Sequence, residues 1–350
     1  MTSKERVLAA LDFQKPDRVP RFDSFWSEFL EQWQKAKGLG ESADIKGYYG
    51  IDISICVANE GTFPGSAAEL ERGSDYVISR DAWGCVVRTV PGGAFYEQLE
   101  VPIKEKSDLD RVTFEPADLD DRYTDFVQAV ARESRERCVF CKTGGPYLRT
   151  SFVRGTTQFL IDIASDEPFA QELALRMTDH LIGVGLESLR RSNLYDTGLW
   201  IYDDIAHNAA PMMSPDKFER IFYPQVKRMV QAFKAAGARK VCFHSDGNIL
   251  PVLDMLIDAG VDGINPVEPK AGMDLARLHH QYEGRLALIG GMCNAFVLPG
   301  PSTSRIEEET RRILEVGRDG GVVIGAHSVG PDVSVENYDL YHTVLETHGG

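Results

Sequence analysis

Eight short runs of strand character, the last six alternating with segments of helical period, predict an α/β fold for this chain of 350 residues: a single (β/α)8 barrel of the TIM type. Eight is the number of parallel strands that closes such a barrel. Strand–helix alternation with connections of this length implies right-handed βαβ units. No internal repeat, low-complexity tract or linker interrupts the pattern, so residues 1–350 read as one domain.

In chain order, the first strand is expected over 19–25 (Val-Pro-Arg-Phe-Asp-Ser-Phe) and the second over 51–57 (Ile-Asp-Ile-Ser-Ile-Cys-Val). Segment 73–103 breaks the alternation. Tyr76-Val77-Ile78, the run from Gly84 to Val90 and then Pro91-Gly92-Gly93 carry a β-hairpin signal, read as a small β insertion on the barrel. The remaining strands fall at 138–144, 197–204, 239–245, 261–267, 286–291 and 321–327. Between them, 168–192 is the longest helical segment, and 215–236 opens at Ser214-Pro215, a capping residue followed by a proline whose missing N–H is harmless in a first turn. Helices at 249–259 and 303–318 stop at Gly260 and at Gly320-Gly321.

Acidic residues outnumber basic ones 53 to 38, a formal charge of −15. Such a field repels phosphate backbones and anionic lipid, so neither nucleic acid nor a membrane is an expected partner. The N-terminus, Met1 to Arg6, runs into an amphipathic pattern rather than the apolar core of a signal peptide, and no stretch approaches the ~18 apolar residues of a membrane span. Six cysteines without framework spacing read as thiols. The expected setting is a reducing cytoplasm.

In a barrel of this kind, chemistry sits where strands meet their following loops. There the chain carries Asp23, Glu60, Thr143-Gly144-Gly145, Asp203-Asp204, His244-Ser245-Asp246, Asn265 with Glu268, Cys293-Asn294 and His327-Ser328. Helix caps account for part of this set, but they do not call for His244, Cys293 or His327. His244 and Asp246, two apart, share a strand face: they can hold a metal, or the carboxylate can orient the imidazole, or Asp246 can cap a helix beside a buried histidine. The adjacent Asp203 and Asp204 project to opposite sides, so at most one enters the barrel mouth as a general acid or cation stabiliser while the other caps or pairs. Cys138 and Cys141, three apart, face opposite sides of a strand and read as core residues rather than a metal or redox pair.

Several of these motifs, in this order, resemble the uroporphyrinogen decarboxylase superfamily, which includes the corrinoid-linked methyltransferases. They are Lys4 to Leu11 followed by Pro16-Asp17-Arg18-Val19-Pro20, Gly144-Gly145-Pro146-Tyr147, Tyr202-Asp203-Asp204 with Ser214-Pro215, the block from His244 to Asp262, and His327 with Glu336-Asn337. The resemblance spans the chain and implies a (β/α)8 barrel. The namesake enzymes hold a polycarboxylate substrate with an arginine-rich segment near the N-terminus. The corresponding stretch here, Phe22 to Glu28, offers acids and aromatics, which argues against that substrate.

In the methyltransferase branch a His-x-Cys pair and a later cysteine bind zinc. The positions they match are His244-Ser245-Asp246 and the neighbourhood of His327, a harder donor set suited to oxygen ligands. The resemblance thus implies a zinc-dependent methyltransferase of the demethylase type. It places zinc on His244, Asp246 and His327 with Cys293, gives acid or cation-stabilising duty to Asp203 or Asp204, and lines the substrate pocket with Asp23, Trp26 and Tyr147. A small methylated molecule is the expected substrate, a corrinoid protein or a thiol the methyl acceptor, and a homodimer the expected assembly. The alternatives are a metal-free decarboxylase of a pyrrole acid and a barrel that binds ligand without chemistry.

Overall fold

Eight parallel strands form a nearly closed barrel, and four antiparallel strands form a separate small sheet, in a computed structural model that describes residues 1–91 and 96–349. In chain order the strands are β1 (Arg21–Phe25), β2 (Ile53–Val57), β3 (Ala68–Arg72), β4 (Val77–Arg80), β5 (Val86–Thr89), β6 (Tyr96–Glu100), β7 (Cys138–Gly144), β8 (Gly198–Tyr202), β9 (Lys240–His244), β10 (Gly263–Val267), β11 (Ala287–Gly291) and β12 (Val322–Val329). The barrel runs β1-β12-β11-β10-β9-β8-β7-β2, so every expected barrel strand is present and each ladder is parallel.

Alternation along the strands makes two cores. Phe22, Ile53, Cys138, Phe140, Trp200, Cys242, Ile289 and Val323 fill the barrel interior. The opposite faces pack on the helices, the longest being Glu167–Ser192. Cys138 and Cys141 divide as the strand period requires: one belongs to the interior, while the sulfur of the other meets Ser192 Oγ at 3.4 Å. All six cysteines are free and buried.

The seam between β1 and β2 has no ladder; Asp52 bridges it. Its N–H donates to the Arg21 carbonyl at 2.9 Å, and its carboxylate accepts the Arg21 N–H at 2.9 Å, Arg6 Nη1 at 2.7 Å and Arg18 Nη1 at 2.8 Å. The N-terminal motif around Arg6 and Arg18 therefore serves the N-terminal face of the barrel, where structure rather than chemistry is decided.

Three expectations change in detail. The helix expected over 215–236 is two, Pro215–Ile221 and Tyr223–Ala235, because Pro224 has no N–H to give the Arg220 carbonyl. That carbonyl accepts Gln171 Nε2 at 3.1 Å instead. Segment 249–259 is a 3₁₀ turn, Leu250–Val252, followed by a short helix, Leu253–Asp258. The insertion is a four-stranded sheet in the order β3-β4-β5-β6 rather than a hairpin, and it begins at Ala68. Strand β3, Ala-Glu-Leu-Glu-Arg, is exposed along its whole length and carries none of the β-branched or aromatic residues that announce a strand. Of the expected turn, Gly92 and Gly93 lie outside the described residues. Among the described residues no helix is long and apolar enough to cross a membrane.

Candidate metal centre at the barrel mouth

His244, the last residue of β9, follows the interior residue Cys242 by two and so also faces inward. Its ring lies flat on Tyr202, centroids 4.0 Å apart and planes at 13°. Nδ1 is 2.7 Å from Asn265 Oδ1, while Asn265 Nδ2 donates to the Ile289 carbonyl at 3.3 Å. That second bond fixes the amide with its oxygen toward the ring, so His244 donates from Nδ1 and its Nε2 presents a lone pair. Burial, and then the neighbouring His327, hold the imidazole well below its ordinary pKa, which keeps it neutral.

His327 approaches from β12 with a left-handed backbone, φ +67°, a conformation that side chains other than glycine rarely adopt. Strand β1 braces it. Asp23 Oδ1 accepts the Ala326 N–H at 2.5 Å, Ser24 Oγ donates to the His327 carbonyl at 2.5 Å, and Tyr338 donates to Asp23 Oδ2 at 2.8 Å. Nε2 of His327 is thereby placed 2.9 Å from Asp246 Oδ1.

Asp246 Oδ1 also lies 3.6 Å from His244 Nε2. The oxygen is buried and faces these two imidazole nitrogens, so the only proton it can share there is one carried by an imidazole, and a cation can take that proton's place. Burial alone would raise Asp246; the facing His327 and His244 outweigh it and hold the carboxyl below its usual range. The three donor atoms of His244, Asp246 and His327 lie within 4.8 Å of one another. Ligands about 2.0–2.1 Å from a zinc ion stand just over 3 Å apart, and two imidazoles with one carboxylate are a known catalytic zinc set with an open fourth position. The residues present thus fit the metal.

The paired carboxylates separate. Asp204 Oδ1 accepts the Asp246 N–H at 3.1 Å and lies 3.7 Å from His244 Nε2, at the mouth, with its pKa raised by burial. Asp203 points the other way. Its oxygens accept the N–H groups of Leu148 at 2.6 Å and Tyr147 at 3.2 Å, capping the helix Pro146–Arg154. A Cβ on Gly145 would collide with it, so glycine is required there.

The other expected site residues are not gathered with the donors. Asp23 is buried behind His327, both oxygens engaged, because it faces away from the interior residue Phe22. Tyr147 is buried between Phe159 and Phe222, centroids 6.0 and 5.6 Å away, and packs helices together. Cys293 is buried beyond β11; its Sγ accepts the Phe296 N–H at 3.4 Å and is not among the clustered donors. Trp26 stands half-exposed at the rim, with Nε1 donating to Ser328 Oγ at 2.6 Å. Sequence reasoning placed Asn265 among the strand-end polar residues and Tyr202 in a motif without giving either a specific role, and did not single out Lys142. Each is a polar or aromatic residue at an inward strand position near a C-terminal end, and that alternation was the signal available.

Compared with known proteins, residues 72–347 match the family Uroporphyrinogen decarboxylase (URO-D). Among solved structures, a methyltransferase from Methanosarcina mazei aligns with a TM-score of 0.71 at 18% sequence identity, covering 99% of this chain and 99% of that one. No curated protein matches in sequence.

Proposed function

The chain belongs to the uroporphyrinogen decarboxylase family, and from that premise we propose that it is a methyltransferase of the demethylase type, taking a methyl group from a small methylated substrate to a corrinoid or thiol acceptor. The observation that carries this reading is the cluster of His244, Asp246 and His327, in which the buried Oδ1 of Asp246 faces both imidazoles. Zinc held by these three side chains would supply a Lewis acid for the heteroatom that loses the methyl group. Asn265 keeps Nε2 of His244 free for that duty, and the β1 brace keeps His327 aimed.

Asp204 is the proton donor. The methyl–heteroatom bond breaks, its electron pair stays on the heteroatom, and the proton of Asp204 follows; the nucleophilic acceptor takes the methyl group. Burial raises the pKa of its carboxyl, the direction a general acid needs, and its half-open position allows proton exchange with solvent. The cationic partners a polycarboxylate would need are not presented at the cluster, where Asp204 and Asp246 stand. Arg149 nearby is paired with Glu60.

Metal analysis of protein purified without chelator tests the reading. About one zinc per chain is expected, lost in His244→Ala and His327→Ala. No stoichiometric metal, with a Tm unchanged by chelator, overturns it. Formation of methylcobalamin from cob(I)alamin and a methyl ether, followed by absorbance, tests the transfer itself, and Asp204→Asn is expected to lower kcat about 10²–10⁴-fold.

A further inference from the structure

Lys142 is a charged residue in an otherwise apolar stretch of β7, Cys-Val-Phe-Cys-Lys-Thr-Gly. Phe140, two residues before it, lies in the barrel interior, so the lysine also points inward, one layer nearer the mouth. In register it stands beside Val57 of β2 and Trp200 of β8. Its Nζ lies 4.2 Å from the centroid of Tyr202, the same ring on which His244 is stacked at 4.0 Å. One aromatic ring therefore spaces the ammonium from the metal cluster.

The ammonium lacks a partner. Among the described residues Lys142 makes no ion pair or hydrogen bond. Eleven other lysines have one. The remaining one, Lys35, is exposed to solvent, whereas Lys142 is half-buried. Glu60 and Asp204 are near enough to act on it, but neither forms an ion pair with it: both Glu60 oxygens are engaged, one by the Gly144 N–H at 2.5 Å and the other by Arg149, and Asp204 Oδ1 accepts the Asp246 N–H at 3.1 Å. A cation taken partly out of water on an inward-facing strand position, without an anion, costs stability that a bare lumen has no reason to bear. The charge is explained if the anion comes with the ligand.

We propose that Lys142 anchors a carboxylate carried by the substrate, so that the substrates are small methylated carboxylic acids whose methyl-bearing heteroatom reaches the His244 cluster across the Tyr202 ring. One unpaired ammonium matches one carboxylate. A phosphate or a polycarboxylate would call for further cations, and the guanidinium of Arg149 is already held by Glu60. The methyl group in this assignment rests on the methyltransferase reading; the carboxylate does not.

Isothermal titration of the full chain with 4-methoxybenzoate and methoxyacetate, each against its neutral amide, tests the anchor. The wild type is expected to bind at least one acid about 10–100-fold more tightly than its amide. Lys142→Met should abolish that difference and Lys142→Arg should retain it, with circular dichroism and metal content unchanged in both. Acid and amide binding alike, or neither binding, overturns the proposal. So does a preference for acid that survives Lys142→Met, which would assign the carboxylate to the metal cluster. Binding is read without a methyl acceptor, so a lysine-dependent preference without turnover leaves the anchor standing and defeats only the transferase reading. Turnover of the amides with the same kcat/KM as the acids does the reverse.

Discussion

A single hydrogen bond decides what His244 can do. Asn265 is tied at one end to the Ile289 carbonyl and at the other to Nδ1, so the imidazole has one tautomer and its Nε2 lone pair faces Asp246. Outer partners of metal-ligating histidines are worth about 10–100-fold in metal affinity. Asn265→Ala is therefore expected to weaken zinc binding by that factor while leaving the fold intact, as read by competition with a chromophoric chelator and by circular dichroism. An unchanged affinity would mean the ring is oriented by its stack on Tyr202 alone. At this scale the sequence was half legible. His244, Asp246 and His327 were visible because helix caps do not call for histidine, and the opposite projection of Asp203 and Asp204 followed from the strand period. Asp23, Tyr147 and Cys293 were misplaced because proximity to a strand end says nothing about which face a residue takes. In Asp23 the decision was made by its neighbour: Phe22 faces the interior, so Asp23 faces the helix that bears Tyr338.

Elements show the same division between pattern and context. The strands were legible because a parallel strand buried on both sides must be apolar throughout, whereas β3, exposed along its length, is built from Ala, Leu, Glu and Arg, residues that favour no strand. The helix Val335–His348 illustrates a cost that only packing reveals. His342 lies between Tyr49, Tyr338 and Tyr341, centroids 4.5, 4.7 and 5.0 Å away, with neither ring nitrogen hydrogen-bonded. Burial first, and then the charges of Arg21 and Arg18, hold its pKa well below the ordinary 6.5. The unfolded chain thus takes up a proton below about pH 6.5 that the folded chain refuses. Stability is full above that pH and falls as pH drops toward the folded pKa. Urea midpoints measured from pH 7.5 to 5 should fall on acidification, and His342→Phe should flatten the slope without loss of stability at pH 7.5, because it keeps the ring contacts and removes two unpaired nitrogens. An acid slope identical in the variant would place the titration elsewhere.

At the scale of the whole molecule, the two ends of the barrel do different work, and the charges are arranged accordingly. The C-terminal end gathers His244, Asp246, His327, Asp204 and Lys142 with bonding capacity left over, as the lone pair of His244 Nε2 and the Lys142 ammonium show. At the N-terminal end the central carboxylate is saturated. Asp52 takes four donors from Arg6, Arg18 and the Arg21 backbone, and it joins two strands that share no ladder. Removing a buried partner of this kind strands the remaining charges and costs about 3–5 kcal/mol. Asp52→Ala should lose that much in urea unfolding, because it takes from Arg18 its carboxylate partner, leaves Arg6 with Asp17 alone, and orphans the Arg21 N–H at the seam. Zinc content and affinity in the folded protein should be unchanged, since the metal cluster lies at the opposite end and its braces, Asp23 and Asn265, are tied to β12 and β11 rather than to Asp52. If metal affinity fell together with stability, the barrel would be transmitting strain from its seam to its mouth through β1, which touches both Asp52 and the Ala326 N–H next to His327.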